Sequence, residues 1–134
     1  MSKKIKFLSI DQVLFIHDLV VKRFGGSFGI RNLGLVESAI GRPQSTFGSQ
    51  FLYENIFDMA AALLQSLLKN HPFVDGNKRT ALTSAAMFLK LNGYELKNTH
   101  QKEVEFAVSV DNKNLSIEQI SHWLQEHCVK TRII

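Results

Sequence analysis

Residues 53–93 read YENIFDMAAALLQSLLKNHPFVDGNKRTALTSAAMFLKLNG, and this stretch decides the fold. From about Tyr53 to Lys69, Ile56, Ala60, Leu63, Leu64 and Leu67 form one stripe at helical spacing. Phe57, Ala61 and Leu68 form a second, so the expected helix is apolar on more than one side and should be central and buried. Asn70 and Pro72 specify its end, because a proline disfavours right-handed helical geometry at the residue before it, here His71. A second helix should begin near Asn77, carry Leu82, Ala85, Ala86 and Leu89 on one face, and end at Gly93 with a left-handed cap.

Working outward, Ser9 with Gln12 forms a capping-box pattern ahead of Val13, Ile16 and Val20, which predicts a helix over about 10–23. Gly25-Gly26 ends it, and the glycine-rich segment to Gly34 reads as an irregular loop. A short helix is expected from Leu35 to Ile40, stopping at Gly41-Arg42-Pro43, where the pre-proline residue should leave helical geometry. Residues 101–110 and 117–128 read as two more helices, the second opened by Ser116 with Gln119. Ile5 to Leu8 and Tyr94 to Leu96 are the extended candidates. The expectation is an all-α, compact helical bundle with minor strand content, residues 1–134 forming one domain.

The chain has 134 residues, 45% of them hydrophobic and 21% charged, a globular balance that argues against disorder. One cysteine, Cys128, cannot pair within the chain or build a zinc cluster. The basic N-terminus is interrupted by Ser9, Asp11 and Gln12 before a secretory core could form. The most apolar segment, 55–69, carries Asp58, Gln65 and Lys69 and is too short to cross a bilayer. A cytoplasmic protein without membrane attachment is expected. The net charge of +4 is spread along the sequence, so direct nucleic-acid binding is not expected from charge alone.

The loop between the central helices, His71-Pro72-Phe73-Val74-Asp75-Gly76-Asn77-Lys78-Arg79, concentrates a base, a carboxylate, a glycine, an amide and two cations. Lys78 and Arg79 fall in the first helical turn, where free N–H groups already carry positive charge, so they oppose the helix dipole. A bound anion accounts for this: a helix N-terminus approached over glycine, with Lys and Arg beside it, makes a phosphate cradle. Asp75 would repel a phosphate unless a cation bridges them, which points to Mg²⁺ held by one carboxylate and phosphate oxygens. His71 is placed to take a proton from an attacking hydroxyl near neutral pH. Phosphoryl or nucleotidyl transfer is the chemistry that fits. Each residue also has a plain reading: His71 as a helix cap, Asp75 or Asn77 as an N-cap, Phe73 as a core plug, Lys78 and Arg79 as solvated side chains.

HPFVDGNKR resembles the signature of the Fic/Doc family, H-x-F-x-[DE]-G-N-G-R-x-x-R in Fic enzymes and H-x-F-x-[DN]-x-N-K-R in the Doc (death-on-curing) branch. The flanking GLVESAIGRPQ (34–44) and TALTSAAMFLKLNGYEL (80–96) are similar to Doc sequences, and the likeness covers about residues 28–96. Lys78 stands in place of the second Fic glycine, and Leu82 in place of the terminal arginine that holds nucleotide phosphates in Fic adenylyltransferases. The inhibitory pattern [ST]-x-x-x-E-[GN] is met only in part by Thr99 and Glu103, followed by Val104. The Doc resemblance implies a toxin of a toxin–antitoxin pair that passes the γ-phosphate of ATP to a Ser or Thr hydroxyl of elongation factor Tu and stops translation. It implies His71 as base, Asp75 on Mg²⁺, Lys78 and Arg79 on the transferred phosphoryl group, and Gly76 and Asn77 completing the anion site. It also implies neutralisation by a Phd-like antitoxin, and an exposed loop near Phe47 to Tyr53 positioning the target. Nucleotidyl transfer to another protein, or a catalytically degenerate binding module, are the alternatives.

Overall fold

The computed structural model describes residues 4–131. Its helices, in chain order, are α1 (Ile10–Phe24), α2 (Leu33–Gly41), α3 (Ile56–Asn70), α4 (Asn77–Leu91), α5 (His100–Asn112) and α6 (Ile117–Glu126). The strands are β1 (Thr46–Phe47) and β2 (Gln50–Phe51), which form an antiparallel hairpin, and β3 (Tyr94–Leu96) and β4 (Cys128–Lys130), which pair antiparallel with Leu96 opposite Cys128. The architecture is mostly helical, as the periodicity implies.

α3 is the hub. Ala60, Ala61, Ala62, Leu64 and Leu68 are wholly buried, because α4, α6 and α2 cover different sides of this one helix. Each leucine buried this way contributes about 1.5–3 kcal/mol. α4 lies along α3 and presents Ala81, Ala85, Phe88 and Leu89 to the core, while α1 covers α4 with Val13, Ile16 and Val20. The capping boxes form as read: Gln12 N donates to Ser9 Oγ at 3.2 Å and Ser9 N to Gln12 Oε1 at 2.8 Å, with the same reciprocal pair at Ser116 and Gln119.

Several boundaries differ from the sequence reading, each for a local reason. α2 begins at Leu33, since Asn32 Oδ1 accepts from Leu35 N and caps it, so Gly34 is helical. α3 begins at Ile56 because Asn55 is its cap. Arg42 keeps right-handed helical angles despite Pro43, and the chain tightens into a 3₁₀ turn over Arg42–Gln44 before leaving helical geometry at Ser45. Ile5–Leu8 is not a strand: Lys6 N and O are taken by the side-chain amide of Asn92, both at 2.9 Å. α6 stops at Glu126, and Cys128 joins a strand, because Tyr94–Leu96 offers it a backbone partner. Pairing with a distant segment overrides local helix preference here.

Candidate active site at the α3–α4 loop

α3 ends in a strained residue. His71 has φ 48° and ψ 58°, the left-handed region, immediately before Pro72. The turn is held from outside by Arg31, whose Nε donates to His71 O and whose Nη2 donates to Asn70 O, both at 2.7 Å. A cation on the last carbonyls of a helix complements its dipole. The backbone N–H groups of Arg31 and Asn32 also donate to Pro72 O at 2.7 and 3.0 Å, and Val74 N donates to Gly29 O at 3.1 Å. The glycine-rich segment therefore acts as a strap that runs beside residues 72–75.

The loop's interior is equally fixed. Phe73 is 2% exposed, and its own N–H and carbonyl are both taken by the Asn77 side-chain amide, each at 3.0 Å. The ring stacks on His17 of α1, centroids 3.8 Å apart and planes 8° from parallel. His17 is buried, and its Nε2 donates to the Asp75 carbonyl at 2.8 Å; since a carbonyl can only accept, that nitrogen carries the proton.

Asp75 lies exposed at the cleft surface. Oδ1 accepts from Gly76 N at 2.9 Å and Oδ2 from Ser27 N at 3.3 Å. Gly26 approaches so closely that a Cβ there would fall 2.7 Å from Oδ2. Gly76 has φ +76° and precedes α4 with no side-chain cap, and the first turn of α4 contains no acid. The free N–H groups of that turn, and Arg79 with them, thus have no acidic side chain within the turn itself to offset them. Among the described residues no group of three or more His, Cys, Asp or Glu side chains could form a protein-only metal cage. A single carboxylate with lone pairs to spare fits a Mg²⁺ ion whose other ligands are phosphate and water oxygens.

The two cations are positioned by different elements. Lys78 Nζ is 3.5 Å from Asp111 Oδ2 on α5, an acid that also pairs with Lys69. Arg79 Nη1 donates to His100 Nε2 at 2.7 Å, which requires the lone pair on that nitrogen, and the guanidinium sits 3.8 Å over the Phe24 ring. No carboxylate among the described residues lies within ion-pairing distance of Arg79. Glu103 lines a neighbouring 180 Å³ cleft with Arg79, Leu82 and His100; burial pushes its carboxyl above the ordinary value while nearby His100 pulls the other way.

His71, Asp75, Gly76, Asn77, Lys78 and Arg79 together line one open cleft of about 550 Å³, walled on the other side by Val20, Phe24 and Gly25-Gly26. Every loop residue expected to carry chemistry is at this cleft, although the Asn77 side chain is engaged with the backbone of Phe73, which is buried in the core. Sequence reading missed His17, Arg31, Phe24 and His100. A histidine inside an amphipathic stripe, as His17 is, was the one local sign available; the others depend on contacts across 21 to 55 residues of chain.

Residues 7–89 match the Fic/DOC family. The chain is 51% identical to the Toxin Doc of Mycolicibacterium smegmatis over 73 residues, which span 54% of this chain and 56% of that protein. It is 28% identical over 120 residues to the Protein kinase doc of Escherichia phage P1, covering 90% of this chain and 94% of that protein. The chain thus spans little more than half of the first relative and nearly all of the second. On the extent of the family match, and with the signature loop at the mouth of the cleft, the chain belongs to the Fic/Doc family.

Proposed function

We propose that this chain is a Doc-type toxin that transfers the γ-phosphate of ATP to a Ser or Thr hydroxyl of a translation factor, elongation factor Tu, and so blocks translation in the cytoplasm. The observation that carries the reading is the acid-free, uncapped N-terminus of α4 with Lys78 and Arg79 on it and Asp75 beside it, all on one cleft. Such an end binds a phosphate chain, and Leu82, 8% exposed and packed in the core, leaves no second guanidinium for the Fic mode of AMP transfer. The names of the two relatives, a toxin and a protein kinase, favour the same direction.

In this reading His71, exposed at the cleft rim, accepts the proton of the target hydroxyl as its oxygen bonds to the γ-phosphorus, and the bond from that phosphorus to the β,γ-bridging oxygen breaks to release ADP. The Asn77 backbone N–H, Lys78 and Arg79 stabilise charge on the transferred group, with the backbone at Gly76 completing the anion site. Asp75 would hold Mg²⁺, which when bound with ATP neutralises phosphate charge. Lys78 leaves Asp111 when phosphate arrives. The partner that restrains the toxin is a Phd-like antitoxin.

Incubation of the wild type and His71→Ala with Mg²⁺, elongation factor Tu and either γ- or α-labelled ATP tests the proposal. Label from γ-ATP alone, transferred by the wild type alone, is the expected result. Label from α-ATP would replace it with nucleotidyl transfer, and absence of label from both would remove elongation factor Tu as the target.

A further inference from the structure

His17 is buried, titratable and far from the signature loop in sequence, yet no part of the proposed chemistry uses it. For packing against Phe73 alone, an apolar ring would serve without the cost of burying a polar one. Instead its N–H is aimed at one acceptor, the carbonyl of Asp75. In a trans peptide the C=O and the following N–H point in opposite directions. Fixing the Asp75 carbonyl toward α1 therefore turns the Gly76 N–H the other way, toward the cleft, where it meets Asp75 Oδ1 at 2.9 Å. One side chain thus sets the peptide whose N–H anchors the Asp75 carboxylate at the cleft. Phe73 keeps the imidazole plane in place by stacking, and the Asn77 amide keeps Phe73 in place by its paired bonds to the Phe73 backbone.

We infer that His17 is a positioning residue for the Asp75–Gly76 peptide, and through its N–H for the Asp75 carboxylate that would take Mg²⁺. The inference rests on the phosphate-binding part of the proposed function. It acts through hydrogen bonding and not through proton transfer to substrate, since the ring is 2% exposed and does not line the cleft.

The test is calorimetric titration of the full chain with Mg²⁺ and a non-hydrolysable ATP analogue, alongside thermal melts. His17→Phe keeps the stacking ring and removes the donor; His17→Gln restores an N–H at nearly the same place. The expected result is a folded His17→Phe protein whose affinity for the Mg²⁺–analogue complex falls about tenfold, the scale typical of partners behind a metal ligand, with His17→Gln recovering most of the loss. A folded His17→Phe that binds as tightly as the wild type overturns the inference. Should His17→Phe not fold, His17→Gln decides: near wild-type binding supports the role, and a folded His17→Gln that has lost binding overturns it. Binding by the wild type without phosphate transfer to any protein would remove the kinase reading and leave this result standing, because its readout is affinity. Failure of the wild type to bind the analogue would overturn both.

Discussion

Gly26→Ala and Gly25→Ala make a matched pair of perturbations. Both glycines have positive φ, +86° at Gly25 and +106° at Gly26, so either alanine meets backbone strain on the order of 1–3 kcal/mol. They differ in what the new methyl touches. At Gly25 nothing lies within 4 Å, whereas at Gly26 the Cβ falls 2.7 Å from Asp75 Oδ2 and 3.1 Å from its Cγ. An ordinary C···O contact is about 3.3 Å, so the carboxylate must retreat by roughly 0.6 Å. Misplacement of about 1 Å in a catalytic group costs on the order of a hundredfold, which scales to about tenfold here. Gly26→Ala should therefore lose about ten times more Mg²⁺-dependent phosphotransfer than Gly25→Ala, while their melting temperatures fall by similar amounts. Thermal melts and initial rates across a Mg²⁺ series measure both quantities. Equal activity losses in the two variants would refute the argument that Gly26 sets the position of Asp75.

The left-handed strain at His71 makes His71→Gly more stable than the wild type by about 1 kcal/mol even as it abolishes transfer; a melt with no rise in stability would deny that the strain is stored there. Glu103 has a raised folded-state value, so its favourable contribution is full at low pH and is lost as pH rises through that value. Glu103→Gln should accordingly raise the melting temperature more at pH 7 than at pH 4, and a pH-independent difference would contradict the assignment. Arg42 donates to Tyr53 Oη, Gln65 Oε1 and Ser66 Oγ within 3.0 Å, tying the base of the β1–β2 hairpin to α3. Arg42→Ala should cost about 3 kcal/mol in urea unfolding and speed amide exchange across residues 46–53; exchange unchanged there would sink the proposed tether.

Much of this architecture was legible because α3 and α4 carry apolar stripes too regular for any other structure, and because Ser9 and Ser116 write their caps locally. The signature loop was legible for the opposite reason, an excess of polar chemistry between two apolar helices. What escaped reading depends on partners distant in sequence. Ile5–Leu8 has strand-like residues, but Asn92 occupies its backbone, and the extended run Cys128–Lys130 follows a good helix pattern until β3 claims it. The hairpin at Thr46–Phe51 is too short to show alternation, and Phe47 on it is 84% exposed, so no burial pattern announces it. In the site, the glycines of residues 25–29 looked like slack in the chain. Their positive angles instead let the backbone lie against Asp75 and Val74, a close approach that a single sequence does not record.

The stitching of the signature loop to distant segments has a consequence for the order in which the chain is made. α1 and the strap, bearing His17, Gly26 and Arg31, leave the ribosome before the loop they hold, whereas His100, which fixes Arg79, leaves after it. A nascent chain or fragment that stops short of residue 100 has all of HPFVDGNKR but lacks the acceptor that aims Arg79. The Arg79 side of the cleft is therefore completed only once residue 100 has been made, after every residue of the signature loop is already in the chain.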